Sequence, residues 1–462
     1  MTSTAARATG WKEVLGGGRF PRFALLCLGI WLNAADALMT STIMPSVARD
    51  IGGYAYFGWA IAGFMLGSII AGTSAGQFSL RFGVRRAMVI AALAYAAGCV
   101  ISAASPEIGS FLVGRLLQGV GAGWIVGLCY VAVGTMFPEH MLARVLAAVS
   151  GVWGIATLLS PLIGGIFAEA GLWRWSFWLF AAQGLAFAIA AMRLLDKGGA
   201  ALLRDRLPLS QLAVLTFGIL CIAAAGLVAD AARAVALGLA GLVLLVFFVR
   251  LDGRSKVPLL PRQTGIPSST AAAAYTMIFM LSAGTISFGV YGSAIMQALH
   301  GSSPLVAGYV IGVEAFTWTV ASLLVAGLRS GWHSFYIRLG ASLIVAGVAG
   351  LAFAMPRGSL AAVIGCAILL GGGFGLCFAF MTRRLLASVP TEERAVASSA
   401  VPTMQLVGGA AGSAGAGAIA NFLGFGQGID AATAASGSFW LFACFVPVAA
   451  IGWFAAWRLA RL

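Results

Sequence analysis

Long apolar runs, broken by short polar segments rich in arginine, dominate the chain. Each run is near the length a helix needs to cross a hydrocarbon layer of about 30 Å. Read in order, the runs predict fourteen membrane helices, near residues 22–46, 54–76, 87–104, 108–136, 143–168, 175–195, 209–229, 231–250, 270–299, 304–328, 335–355, 358–382, 395–421 and 435–458. Longer basic stretches after the sixth and eighth runs group them six, two, six. The pattern predicts an all-α polytopic membrane protein in which two six-helix bundles flank a central insertion of two helices. The expected units are residues 1–195, 196–264 and 265–462. The break between the seventh and eighth helices rests on the polar step from Ala229 to Arg233.

Composition agrees with this reading. The chain is 61% hydrophobic and 9% charged, whereas an ordinary soluble domain carries about 25% charge. A formal charge of +14 would suit a nucleic-acid partner, but the positive residues fall in the short breaks between apolar runs, so none is expected. Seven cysteines, all inside apolar runs and none in a CxxC pair, imply no disulfide framework and no metal site. The first run is too long for the apolar part of a cleavable signal and carries Asp36. If the N-terminus is cytoplasmic, 23 of the 28 Lys and Arg residues lie on the inner side, four (Arg49, Arg174, Arg233, Arg357) on the outer side, and Arg115 lies within the membrane. That bias places both termini in the cytoplasm, in a plasma membrane of the bacterial inner type.

Three charges remain inside the hydrocarbon: Asp36, Arg115 and Glu314. A lone arginine there requires a counter-charge or a wet cavity. At 1.5 Å per residue, Asp36 lies roughly 21 Å above the inner face and Arg115 roughly 10 Å below the outer one, so the two are at matching heights. Glu314 lies roughly 15 Å down, near the midplane. Two readings stand for the Asp36–Arg115 pair. It takes part in proton coupling, since a guanidinium and burial push a carboxylate in opposite directions, or it is a static bridge that fixes helix packing. Glu314 shows no partner in the sequence and suits a proton or a cationic substrate.

Asn33, Asp36 and Thr40 are spaced three and four apart and share one helix face. Gly119, Gly121 and Gly123 leave one region of the fourth helix nearly bare, which invites close approach. The fifth helix carries Gly154, Pro161, Gly164 and Gly165, a bendable and tightly packing pattern suited to an interface between moving halves.

Together these segments resemble the fourteen-helix drug:proton antiporters of the major facilitator superfamily, over nearly the whole chain. Gly114-Arg115 with Gln118-Gly119 and Gly121 is similar to that family's fourth-helix motif, whose arginine is implicated in proton coupling. Asp36 followed nine residues on by Pro45 has the spacing of its first-helix motif. The fifth helix is similar to the motif associated with antiport, with Ser160-Pro161 where Gly-Pro is usual. Trp173 to Trp175 resembles the start of the family's sixth helix, and Pro390 to Gly412, with Gln405, its thirteenth. The step between helices two and three keeps Gly76, Gly83, Arg85 and Arg86 but has Leu80 where the family has an aspartate that latches the cytoplasmic side.

The resemblance implies alternating access driven by the proton gradient, with no bound cofactor. It also implies efflux of small lipophilic or cationic molecules, with Asp36, Arg115 and Glu314 in coupling and the glycines and arginines of the second-to-third step in gating. Candidate substrate contacts are Asn33, Thr40, Gln118, Trp124, Trp153, Tyr291, Trp318 and Gln405, with Trp59 as a further aromatic. The expected partners are a small-molecule substrate and the bilayer, the working unit being one chain. A dedicated exporter of a lipid, siderophore or metabolite fits the same scaffold. An intramembrane enzyme does not, because the three histidines (His140, His300, His333) fall at helix ends and no HExxH or GxSxG motif is present. A passive channel would not need two rocking halves.

Overall fold

The computed structural model describes residues 16, 18–196, 208–228, 230–326, 328, 330–357 and 359–462. The basic positions Arg7, Lys12, Lys197, Arg204, Arg206 and Arg329, and the Ala229 and Gly327 steps, lie outside them. All regular structure among the described residues is helical. The first six helices are α1 (Phe20–Ile51), α2 (Phe57–Phe82), α3 (Val84–Ala104), α4 (Ile108–Met136), α5 (Glu139–Glu169) and α6 (Trp173–Leu194). Then come α7 (Leu209–Ala225) and α8 (Ala231–Gly253). The rest are α9 (Thr270–His300), α10 (Pro304–Val325), α11 (His333–Ala354), α12 (Leu360–Ser388), α13 (Arg394–Phe422), α14 (Ala431–Ala443) and α15 (Val446–Leu459).

Every expected apolar run is a helix, with three differences. The last run is broken at Cys444 and Phe445 into α14 and α15. The step after α2 is no extended loop: Gly83 alone separates α2 from α3, at φ +76°, a conformation that disfavours any side chain. Gly76 therefore lies inside α2, and Arg85 and Arg86 in the first turn of α3. Twelve spans among the described residues are long and apolar enough to cross a membrane, α14 and α15 counting as one. The exceptions are α7, with 17 residues, and α13. The small residues of α13 pack against protein, where bulk would exclude its neighbours.

Two rims are recognisable. On the terminal rim, Arg22 at the start of α1 donates to the Leu194 carbonyl at the end of α6 at 3.1 Å, and Arg384 near the end of α12 donates to Leu459 at 2.9 Å. On the distal rim, Asp50 at the end of α1 meets Arg174 and Trp173 at the start of α6.

Within the first six helices α4 packs on α2 and α3, α6 on α3, and α5 on α1; α12 packs likewise on α10 and α11, α15 on α11, and α13 on α9. The glycines give the register of this duplication. A Cβ on Gly119 or Gly123 would run into the carbonyls of Phe64 and Ser68, and one on Gly371 or Gly375 into those of Glu314 and Trp318. Gly121 lies against Tyr95 as Gly373 lies against Ile344, and Gly98 against Gln118 as Gly347 against Leu370. The repeated element is a Gly-x-Gly-x-Gly in α4 and again in α12.

The halves meet along two equivalent seams, α5 with α10 and α2 with α13. The first widens steadily toward the terminal rim. A Cβ on Gly165 would lie 2.6 Å from Leu305, one on Gly308 3.1 Å from Pro161, one on Gly312 3.2 Å from Thr157, and one on Gly154 3.9 Å from Thr319. The distal rim is sealed further by aromatic rings from both halves: Phe57 stacks on Tyr291 at 5.6 Å, and Tyr291 lies 6.0 Å from Phe425. The structure is thus closed at the distal rim, and the α5–α10 seam is looser at mid-height than there.

The close approach of α10 to α12 gives a paired prediction. Gly371→Ala drives a methyl into the backbone of α10 and lowers stability by about 1–3 kcal/mol. Gly372→Ala, with nothing within 4 Å of its Cβ, leaves it unchanged. Thermal unfolding in detergent compares the two.

Candidate functional site

The structure brings Asp36 and Arg115 together. Arg115 is 1% exposed and Asp36 0%, and Nη1 of the arginine lies 2.7 Å from Oδ1 of the aspartate. Three helices build the surroundings. From α1, the Thr40 hydroxyl donates to Asp36 Oδ1 at 3.1 Å. From α4, Gln118 Nε2 lies 3.1 Å from Asp36 Oδ2, and its Oε1 accepts from Arg115 Nη1 at 3.1 Å and from the Ser102 hydroxyl at 3.1 Å. From α3, the Tyr95 hydroxyl lies 3.2 Å from Asp36 Oδ2 and 3.3 Å from the Leu32 carbonyl; with one proton it serves one of them at a time. The Cys99 thiol lies 3.1 Å from Gln118 Nε2.

Helical spacing explains the assembly. Asp36 and Thr40 are one turn apart, as are Arg115 and Gln118, and Tyr95, Cys99 and Ser102 recur along one stripe of α3. The glycines bring the three helices into hydrogen-bond range: Gly98, Gly114 and Gly121 let α3 and α4 touch backbone to backbone. The Phe64 ring lies 4.5 Å from the guanidinium carbon, so an aromatic face balances part of the charge where no second acid stands. Arg115 Nε has no acceptor. The site is a buried ion pair whose carboxylate has four donors within reach.

The other expected residues are distributed differently. Thr40 and Gln118, read from sequence as substrate contacts, are buried members of the ion network. Asn33 is half-buried and stays outside it. Trp124 stacks on Phe78 at 4.5 Å and donates to Ser74 at 2.8 Å, joining α4 to α2. Trp59 donates to the Ala223 carbonyl of α7 at 3.2 Å, and Tyr291 is in the distal seal. Trp153, 42% exposed, and the half-buried Gln405 lie on the terminal half of α5 and α13. Pro161, Gly164 and Gly165 pack against α10 and α1.

Glu314 stands apart from Asp36, half-buried, and its carboxylate has no hydrogen bond or ion pair among the described residues. One turn along, Trp318 stacks on Phe374 at 4.7 Å and lies 5.4 Å from Phe378. The exposed stripe of α10, Tyr309, Phe316, Val320 and Leu323, lies on the other side of the helix. By the glycine register Glu314 occupies the place of Phe64, and Leu370, Ile344, Val348 and Leu351 replace Gln118, Tyr95, Cys99 and Ser102. The second bundle therefore has no counterpart to this polar network.

Sequence reasoning missed Tyr95, Cys99, Ser102 and Phe64. The signal of the first three was a polar stripe in α3 at spacings of four and three, in a helix that otherwise reads as small and apolar; Phe64, in α2, left none.

Arg115→Met leaves Asp36 buried without its counter-charge and lowers stability by about 3–5 kcal/mol. Adding Asp36→Leu recovers most of that loss. Thermal unfolding of the single and double variants checks the coupling.

Comparison with known proteins fits this geometry. A family profile described as Major Facilitator Superfamily matches residues 26–413. A probable multidrug-efflux transporter of Mycobacterium tuberculosis is 28% identical over 475 residues, covering 99% of this chain and 98% of that protein. Among solved structures, a mutant of the peptide transporter POT in complex with alafosfalin superposes with TM-score 0.71 at 14% identity, covering 98% of this chain and 97% of that one. A D-xylose–proton symporter superposes at 0.66 and 17% identity, covering 95% and 97%.

Proposed function

The chain belongs to the major facilitator superfamily, and from that premise we propose that it exports small lipophilic or cationic compounds in exchange for protons, by alternating access. The observation that carries this reading is the buried Asp36–Arg115 pair. Charge at that depth costs several kcal/mol per ion unless fully compensated, and a carboxylate held by one guanidinium and three neutral donors changes its proton affinity whenever the guanidinium moves away. The multidrug-efflux description of the mycobacterial relative, matched end to end, supports export as the direction.

The proposed topology has fourteen spans, including α7 and α13, with both termini in the cytoplasm of a bacterial inner membrane and units divided near residues 195 and 264. The tight distal seam and its aromatic seal support an inward-facing conformation, in which substrate enters from the cytoplasm while Asp36 stays buried. Trp153, Gln405, Trp318 and Asn33 are the proposed contacts along that route. Glu314, its carboxylate unpaired and one turn from the stacked Trp318, is the proposed second acid of the cycle. Protonation of Asp36 weakens its tie to Arg115 and loosens α1 from α4, which links proton binding to rearrangement of the first bundle.

The test is proton release from purified protein in detergent as lipophilic cations and neutral drugs are added. Wild type releases protons on binding, Asp36→Asn does not, and Glu314→Gln releases fewer. Wild-type release from Asp36→Asn would remove Asp36 from coupling. Leu80, 49% exposed at the end of α2, gives a second test. Leu80→Asp supplies the missing latch acid and increases the population closed at the terminal rim, read as reduced labelling of a cysteine at position 153.

A further inference from the structure

The pair α7–α8 breaks the twofold equivalence of the seams. α7 lies along α13 and touches α2 beside it, so the α2–α13 seam is covered and the α5–α10 seam is not. At the distal rim one amide joins all three parts. Asn421, at the end of α13, donates from Nδ2 to the Ala55 carbonyl of the first bundle at 2.9 Å and to the Gly226 carbonyl at the end of α7 at 3.0 Å. One turn back on α7, the Ala223 carbonyl accepts from Trp59 of α2 at 3.2 Å. We infer that α7–α8 travels as part of the second bundle and that Asn421 and Trp59 are the bonds by which it and that bundle lock the distal rim shut.

Geometry forces a choice. Opening the distal rim separates α2 from α13 there, so α7 cannot keep both partners. Two features tie it to the second bundle. Gly226 sits against the backbone of Ala418, so close that a Cβ would overlap it. At the terminal rim, the connector from α8 to α9 is hydrogen-bonded: buried Asp252 accepts from the backbone N–H groups of Leu259 and Leu260, both at 2.8 Å, and Gln211 of α7 donates to Ser255 at 2.6 Å and to the Val257 carbonyl at 3.2 Å. The first bundle meets the second at this rim through Asn421 to Ala55, Glu169 accepting from the Leu305 N–H at 3.4 Å, the Phe57–Tyr291 stack and the approach of Gly58 to Ser413, but its hydrogen bonding to α7 is Trp59 to Ala223 alone. The single side-chain bond from Trp59 to α7 breaks in a switch between two packed arrangements, whereas the seat of Gly226 on Ala418, reinforced by the hydrogen-bonded connector into α9, persists.

The inference rests on alternating access, and the experiment separates the two. Spin labels on exposed positions of a cysteine-free protein, at Pro106 in the first bundle, Ala232 in the first turn of α8, and Ala432 in the second bundle, report distances by electron–electron double resonance. As pH and a lipophilic cation are varied, the 106–432 and 106–232 distances lengthen together while 232–432 stays fixed. Asn421→Ala and the conservative Trp59→Phe each raise the open-to-closed ratio at the distal rim about fivefold, the loss of one hydrogen bond. If 232 keeps its distance to 106 and leaves 432, or if neither variant shifts the ratio, the inference is overturned while alternating access stands. If 106–432 is constant in wild type under every condition, alternating access fails and the lock with it.

Discussion

A charged pair inside a membrane-spanning bundle sets the terms for the rest of the structure. Neither Asp36 nor Arg115 reaches solvent, so each polar atom must find its partner within the protein. The carboxylate does so through Arg115, Thr40, Gln118 and Tyr95, which come from three helices. Side chains that short reach one carboxylate only if the helices nearly touch. The glycines at 98, 114 and 121 remove the atoms that would hold α3 and α4 apart. In this way the electrostatic demand of two residues fixes the small-residue composition of the helices around them.

The same backbone arrangement occurs twice, with different chemistry. Both bundles use a Gly-x-Gly-x-Gly contact to join their second, third and fourth helices. In the first the space is filled by polar groups around an ion pair; in the second, by Leu370, Ile344, Val348 and Leu351, with Glu314 alone on the neighbouring helix. Close packing preserves the glycines in each copy because a Cβ would collide with backbone. Nothing in that packing requires the side chains between them to match, and this leaves one bundle free to hold a buried ion pair while the other keeps an acid without one.

Movement is confined by the same contacts. The α5–α10 seam loosens steadily from Gly165 to Gly154, and the distal rim carries the aromatic seal. Helix α7 lies beside the α2–α13 seam only. The two equivalent seams thus have different surroundings, α7 packing beside the α2–α13 seam and not beside the α5–α10 seam.

The positions and order of the apolar helices were legible in the sequence because a hydrocarbon layer imposes length and apolarity on each segment independently of its neighbours. Matching depth along two helices sufficed to pair Asp36 with Arg115, since a buried charge narrows its partners to the few charges at the same height. Thr40 and Gln118 were visible as polar positions, but their attachment to the ion pair was not. Tyr95, Cys99 and Ser102 went unnoticed, because a phenol, a thiol and a hydroxyl in an apolar helix carry no charge to demand explanation. The break of the last span at Cys444, the single-residue turn at Gly83 and the junction at Asn421 were decided by tertiary structure alone. Each depends on which helices lie side by side, and apolar periodicity along one chain carries no record of its neighbours.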